Sequence, residues 1–293
     1  MNSSSKIKAA LKPIADGLLG KQSPYRVPQK QYAVRPVGRI VADLCRIPDR
    51  EWGRYAFSRE PLNRRFTDAQ RMELTDRAIA CGREYAARCM REYGVRDSEV
   101  MATRMGMQVD FPHMPQNTDR VLFAEFKTPN HIHVYMDAVE KAEVLRGEPG
   151  VSHTLTNYLY IPKLLIAHEL FHCVEERYAK EIWTQTYRVE LWAPKFLHNR
   201  SRVGVLGEIA AMAFAKELNQ LPYSPYVMDA FLVYGYSPMA ASGLYEEMMT
   251  LAGRTPDEPD GAEGAAGNHP GGRAADSTSL PDHPVGDGKE DSL

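Results

Sequence analysis

The sequence predicts an α+β fold, and three observations carry that expectation. Apolar periodicity along the chain runs helix, strands, helix, helix instead of alternating strand with helix. No segment of 20–50 residues repeats, which excludes a solenoid or a propeller. The 293 residues, 43% hydrophobic and 25% charged, match a globular composition and suffice for a core without staples.

The elements follow in chain order. Residues 1–40 hold eight basic side chains against one acid, Asp16, and residues 1–62 are expected to form a basic, partly ordered extension. Within it Ile7, Leu11, Ile14 and Leu18 recur at helical spacing, with Lys6, Lys8 and Lys12 set off that line and Pro13 opposing a helix. Residues 63–252 should form the folded domain. A long helix is predicted over 67–93, opened by capping oxygens on Thr67 and Asp68 and stopped by Gly94. Strands are expected at 100–111, 121–126 and 132–137, the last two joined as a hairpin through the turn at 127–130. A second strong helix spans 155–178, with Pro162 at its regular start or at a kink. A third runs over 203–218 and ends before Pro222. From residue 254 onward nine acids face Arg254, Arg273 and Lys289, with no aromatic residue. Residues 253–293 therefore read as an acidic, disordered tail, too poor in apolar surface to offset the entropy of ordering.

Bulk properties narrow the function classes. A formal charge of −2 makes direct nucleic-acid binding an unfavourable expectation. Four cysteines without a C-x-x-C pair argue against a disulfide framework and for a reducing, cytoplasmic setting. No run of 18 apolar residues is present, so no membrane span is expected, and the first 21 residues lack the apolar block of a secretory signal.

One motif carries chemistry. His168-Glu169-Leu170-Phe171-His172 is H-E-x-x-H. At 3.6 residues per turn the two histidines sit one turn apart on one helix face, so both imidazoles can reach one zinc ion. Glu169 lies about 100° around the helix from His168, beside an open coordination position, where it can take a proton from water as the catalytic base. With nine histidines in the chain, chance alone gives about 0.02 such matches. Ile166, Ala167, Leu170, Phe171, Cys173 and Val174 are all uncharged, as a buried active-site helix requires.

Two histidines leave a third protein ligand to be found. The metzincin continuation is excluded, because Glu175 stands at the required Gly and Tyr178 at the required third His. Glu175, Glu176 and Glu181 are too close along the same helix to fold back onto the ion. Glu208 opens a helical segment, EIAAMAFA, whose small residues permit close approach to the histidine helix. It is the preferred third ligand, with Glu190 as the reserve. The expected metal set is His168, His172 and Glu208, holding one Zn2+ per chain.

On these residues the chain resembles the ImmA/IrrE-like zinc metallopeptidases, a gluzincin-type family. The resemblance rests on HELFH after short strands, then Glu208-x-x-Ala211-x-x-Phe214-Ala215, with Leu218 and Pro222 beyond. It covers residues 100–222. The chain departs from the family pattern at Phe171, where Gly is common, and at Met212, where Asn is common. The resemblance implies a minimal zincin-like domain: a small sheet, antiparallel in part, on the H-E-x-x-H helix and a following helix bearing the glutamate. It also implies a zinc metalloendopeptidase acting on a protein substrate, with a helix-turn-helix repressor as the associated partner class.

His131 and His133 alternate with apolar residues and should share one strand face, as cross-strand packing, cleft lining or a second metal site. His198, Tyr223, Tyr226, Tyr234 and Tyr236 follow the motif at distances suited to an oxyanion-stabilising donor, and the sequence does not choose among them. Cys173 should point away from the metal, and Met101, Met105, Met107 and Met114 should serve packing. The strand at 131–137 could align a substrate by pairing with it. The competing expectations are a zinc-fold regulatory or binding protein acting through its charged termini, and a secreted or injected effector protease.

Overall fold

The computed structural model describes residues 32–113, 122–156, 159–192 and 199–256. The amphipathic stretch at 7–18, Met114, His198 and the acidic tail from residue 257 lie outside them.

Two short helices open the described chain. In α1 (Val37–Leu44) the buried Val37, Ile40, Val41 and Leu44 recur at helical spacing. Helix α2 (Trp52–Ser58) buries Trp52, Tyr55 and Phe57. Both belong to the same core as the rest of the chain, which corrects the expected boundary after residue 62. Hydrogen bonds tie them to the far end of the sequence. The Arg35 amide donates to Ser242 Oγ at 3.0 Å, and Tyr245 Oη donates to the Asp43 carboxylate at 2.8 Å. The partners are about 200 residues apart, so local sequence patterns do not reveal them.

Helix α3 (Asp68–Tyr93) forms as predicted. Thr67 and Gln70 make a reciprocal capping box, and Gly94 ends the helix in the left-handed region at φ 63°. Its buried face includes Leu74, Ala78, Cys81, Gly82, Tyr85 and Cys89. At Gly82 a Cβ would fall against the backbone carbonyl of Ala210, so glycine is what allows the later glutamate-bearing helix to lie this close.

The first expected strand is mostly a helix. The Asp97 carboxylate accepts from the amides of Glu99 and Val100, both at 3.1 Å, and starts α4 (Ser98–Arg104). Met101, Ala102 and Met105 are buried by helical spacing, and only β1 (Gln108–Asp110) is extended. Strands β2 (Ala124–Lys127) and β3 (His131–Val134) form the expected antiparallel hairpin, with Phe126 opposite Ile132. The sheet order is β1-β3-β2, with β1 parallel to β3. Beyond Val134 the chain turns into α5 (Met136–Leu145), not more strand, because Ala138, Val139 and Ala142 bury one helical face.

After the short α6 (Val151–Thr154) comes α7 (Ile161–Arg177), which carries the motif. Pro162 occupies its first turn, where the missing amide hydrogen costs nothing, so it begins the helix instead of kinking it. The one-turn helix α8 (Trp183–Thr186) and a two-stranded ribbon, β4 (Val189–Trp192) with β5 (Asn199–Ser201), lead to α9 (Val205–Asn219). Two further helices, α10 (Val227–Tyr234) and α11 (Pro238–Leu251), complete the described part. The architecture is α+β: predominantly helical, with one three-stranded and one two-stranded sheet. All four cysteines are free thiols, and no described helix is long and apolar enough to cross a membrane.

Candidate metal centre

Helix α7 buries Leu164, Ile166, Ala167, Leu170, Phe171 and Val174 almost completely. His168, Glu169 and His172 are each only partly buried. Helix α9 packs on α7 through Phe214, whose ring lies 5.5 Å from that of Phe171, and through Gly207, where a Cβ would meet the Glu175 carboxylate. The missing side chain at Gly207 lets the two helices approach. The departure at Phe171 is therefore a core contact between the metal-side helices.

This packing brings Glu208 to the histidines. One carboxylate oxygen lies 3.4 Å from His168 Nε2 and the other 3.7 Å from His172 Nε2. Among the described residues, these form the one group of three or more whose histidine, cysteine or carboxylate donor atoms all lie within 4.8 Å of one another. Two imidazole nitrogens and one carboxylate oxygen are a donor set that suits Zn2+ and leaves a fourth position for water or substrate. Glu190 lies on β4, outside the group.

The electrostatics agree with this clustering. Burial pulls the His172 imidazole down, but the Glu175 bond and the Glu208 and Glu169 charges outweigh it and raise the group to about 9. The Glu208 side chain is 53% exposed; desolvation pushes its carboxyl up, but hydrogen bonding to His168 with the charges of both histidines holds it at about 2, an effect that solvent screening weakens. The sign of the linkage follows. A raised His172 stabilises the metal-free fold fully below its ordinary value of 6.5, and the contribution disappears as pH rises through about 9. A lowered Glu208 stabilises fully above its ordinary 4.5, and the contribution disappears as pH falls through about 2. The cluster therefore contributes most between pH 4.5 and 6.5. Thermal melts of chelator-treated wild type and Glu208→Gln should differ most in that window, with the gap narrowing as pH rises towards 9.

Glu175 has a role that the sequence reading did not assign. It is no ligand, yet its carboxylate sits 3.2 Å from His172 Nδ1, on the side of the ring away from the donor cluster. It is 6% exposed and also accepts from Thr184 Oγ1 on α8. Gly207 makes room: a Cβ there would meet both Glu175 carboxylate oxygens at 3.0 Å. A glycine immediately before the candidate ligand was the visible signal.

A cavity of about 340 Å³ opens beside the cluster, with His168, Glu169 and Glu208 in its wall. The rest of the wall is mostly apolar and includes Leu164, Leu165, Met212, Met228 and Leu232. Tyr226 also lines it, with an Oη that is buried and has no hydrogen-bond partner. Of the other tyrosines weighed as donors, Tyr234 donates to the Arg35 carbonyl at 3.1 Å and Tyr236 lies under Lys141. Neither they nor Tyr223 line the cavity. Asp229 does; burial raises its carboxyl to about 6, and it accepts from Tyr55 Oη at 2.9 Å.

The remaining expectations fall elsewhere. His131 and His133 share one sheet face, as predicted, each with its Nδ1 near an oxygen of Asp110 (3.6 and 3.8 Å). Cys173 is 6% exposed, with its sulfur 3.3 Å from that of Met107. The substrate-pairing expectation for 131–137 is corrected: β3 is the central strand, and both its edges are already taken by β1 and β2. The cavity is instead lined by Leu122, Phe123 and Ala124, at the start of the edge strand β2. No family model matches the chain, and neither a curated protein nor a solved structure matches it.

Proposed function

We propose that this protein is a zinc-dependent metallopeptidase that cleaves peptide bonds of a protein substrate. The observation that carries the reading is the convergence of His168, His172 and Glu208, with His168, Glu208 and Glu169 in the wall of one cavity. When bound, the ion would polarise a peptide carbonyl and make water acidic near neutral pH.

The chain's own residues supply the rest. Glu169 is a neighbour of both ligands but not one of them, so its carboxylate is available to accept the proton of the attacking water. It then returns that proton to the nitrogen of the leaving amine. Tyr226 is the tyrosine placed to donate from Oη to the oxygen on which negative charge develops. An extended substrate would pair with the outer edge of β2, which has only β3 as a neighbour among the described residues. The apolar wall favours a large apolar side chain next to the bond cut. A regulatory protein such as a helix-turn-helix repressor is the substrate class that the family resemblance suggests.

The test is metal analysis of the purified chain together with peptide-library digestion, with and without chelator. One zinc per chain and chelator-sensitive cleavage beside apolar residues are expected. A chain that neither carries zinc nor takes it up on titration overturns the reading. Tyr226→Phe should lower kcat by about 10²–10³-fold, as loss of one oxyanion donor does. KM and zinc content should stay close to wild type.

A further inference from the structure

The two candidate metal-binding histidines are not supported alike. His172 Nδ1 faces Glu175, but His168 Nδ1 is buried and has no hydrogen-bond partner. A histidine that binds metal through Nε2 carries its proton on Nδ1, and that proton needs an acceptor to fix the tautomer and the ring plane. An acid one turn beyond Glu208, on the same helix, could have supplied it, but that position is Met212.

Three carboxylates line the cavity wall: Glu169, Glu208 and Asp229. Glu208 is on the Nε2 side of the ring, and Glu169 follows His168 on the same helix, where the peptidase reading uses it on water. Asp229 remains. It comes from α10 and shares the wall of this cavity with His168. Its Oδ2 takes the bond from Tyr55, whose ring in turn lies 3.9 Å from the Arg59 guanidinium carbon. This leaves Oδ1 as the acceptor for a second donor.

We infer that Asp229 is the positioning residue for His168: its carboxylate, held by Tyr55, accepts the Nδ1 proton through one water in the cavity. The third helix thereby supplies what the ligand helix lacks. This rests on the metal reading above. It predicts that each histidine is oriented by its own acid, Glu175 for His172 and Asp229 for His168, from opposite sides of the site.

The experiment titrates full-length wild type, Asp229→Ala, Asp229→Asn and Tyr55→Phe with Zn2+ against a chromophoric chelator. Proton–nitrogen NMR of the zinc-loaded proteins then reads the histidine rings. Asp229→Ala should bind zinc about 10–100-fold more weakly, the loss typical of removing a residue behind a ligand. The Nδ1 proton signal of His168 should shift or exchange away, while that of His172 stays. Tyr55→Phe should show the same change to a smaller degree. A general loss of structure would move both histidine signals together, so the selective change identifies positioning. Should Asp229→Ala not fold, Asp229→Asn decides: its neutral acceptor should shift the His168 signal alone and weaken zinc several-fold.

Unchanged affinity and an unchanged His168 signal, in a wild type that does bind zinc, overturn the inference and leave the metal reading standing. A cobalt-loaded wild type whose absorption spectrum reports one ligand more than Asp229→Ala would make Asp229 a ligand, and also overturn it. A wild type that takes up no zinc removes the metal reading itself, and that result is visible before any variant is made.

Discussion

Replacing Glu169 with glutamine should leave zinc bound and the fold intact, and should slow the proposed peptide-bond cleavage by about 10²–10⁴-fold. The expectation follows from placement. Glu169 lines the cavity beside the donor cluster without belonging to it, so the substitution removes a proton acceptor and not a ligand. The side chain is only partly buried, and glutamine matches its size, so no cavity or unpaired charge is created. Zinc content and melting temperature serve as the controls, and kcat is the measured quantity. A variant that cleaves as fast as wild type would show that the proton is moved by another group.

Glu208→Ala should abolish stable zinc binding, whereas Glu190→Ala should leave it almost unchanged. Glu208 offers one oxygen to each histidine at 3.4 and 3.7 Å, and Glu190 stands outside the cluster. Removing one of three protein ligands costs more than the roughly 10–100-fold that follows loss of a supporting residue. Competition with a chelator of known affinity measures both variants directly. The opposite ranking would move the third ligand to β4 and with it the proposed site.

Much of the site was legible before any fold was known, because its rules are local. The spacing of His168 and His172 places two imidazoles on one helix face whatever surrounds them. Ala210 and Ala211 beside Glu208 marked a helix able to approach closely, and the long helix beginning at Asp68 announced itself by a capping box and a terminal glycine. The misread segments have equally local causes. The apolar run at 100–107 looks extended until the Asp97 carboxylate is recognised as a helix cap. The residues after Val134 looked like more strand because their apolar positions also fit a short alternation, and burial of Ala138 and Ala142 decides for helix.

By itself the sequence determined the H-E-x-x-H helix, the glutamate-bearing helix and the chemistry of three potential ligands. Tertiary structure alone decided which tyrosine lines the cavity, that Glu175 stands behind His172, and that residues 37–57 belong to the core. Helical periodicity reports which face of an element is apolar, but not which other element covers it. Tyr55, Tyr226 and Asp229 line one cavity with His168 only because segments about 170 residues apart in the chain fold around the same site. The choice among four tyrosines depends on which one lines the cavity, and only the assembled core determines that.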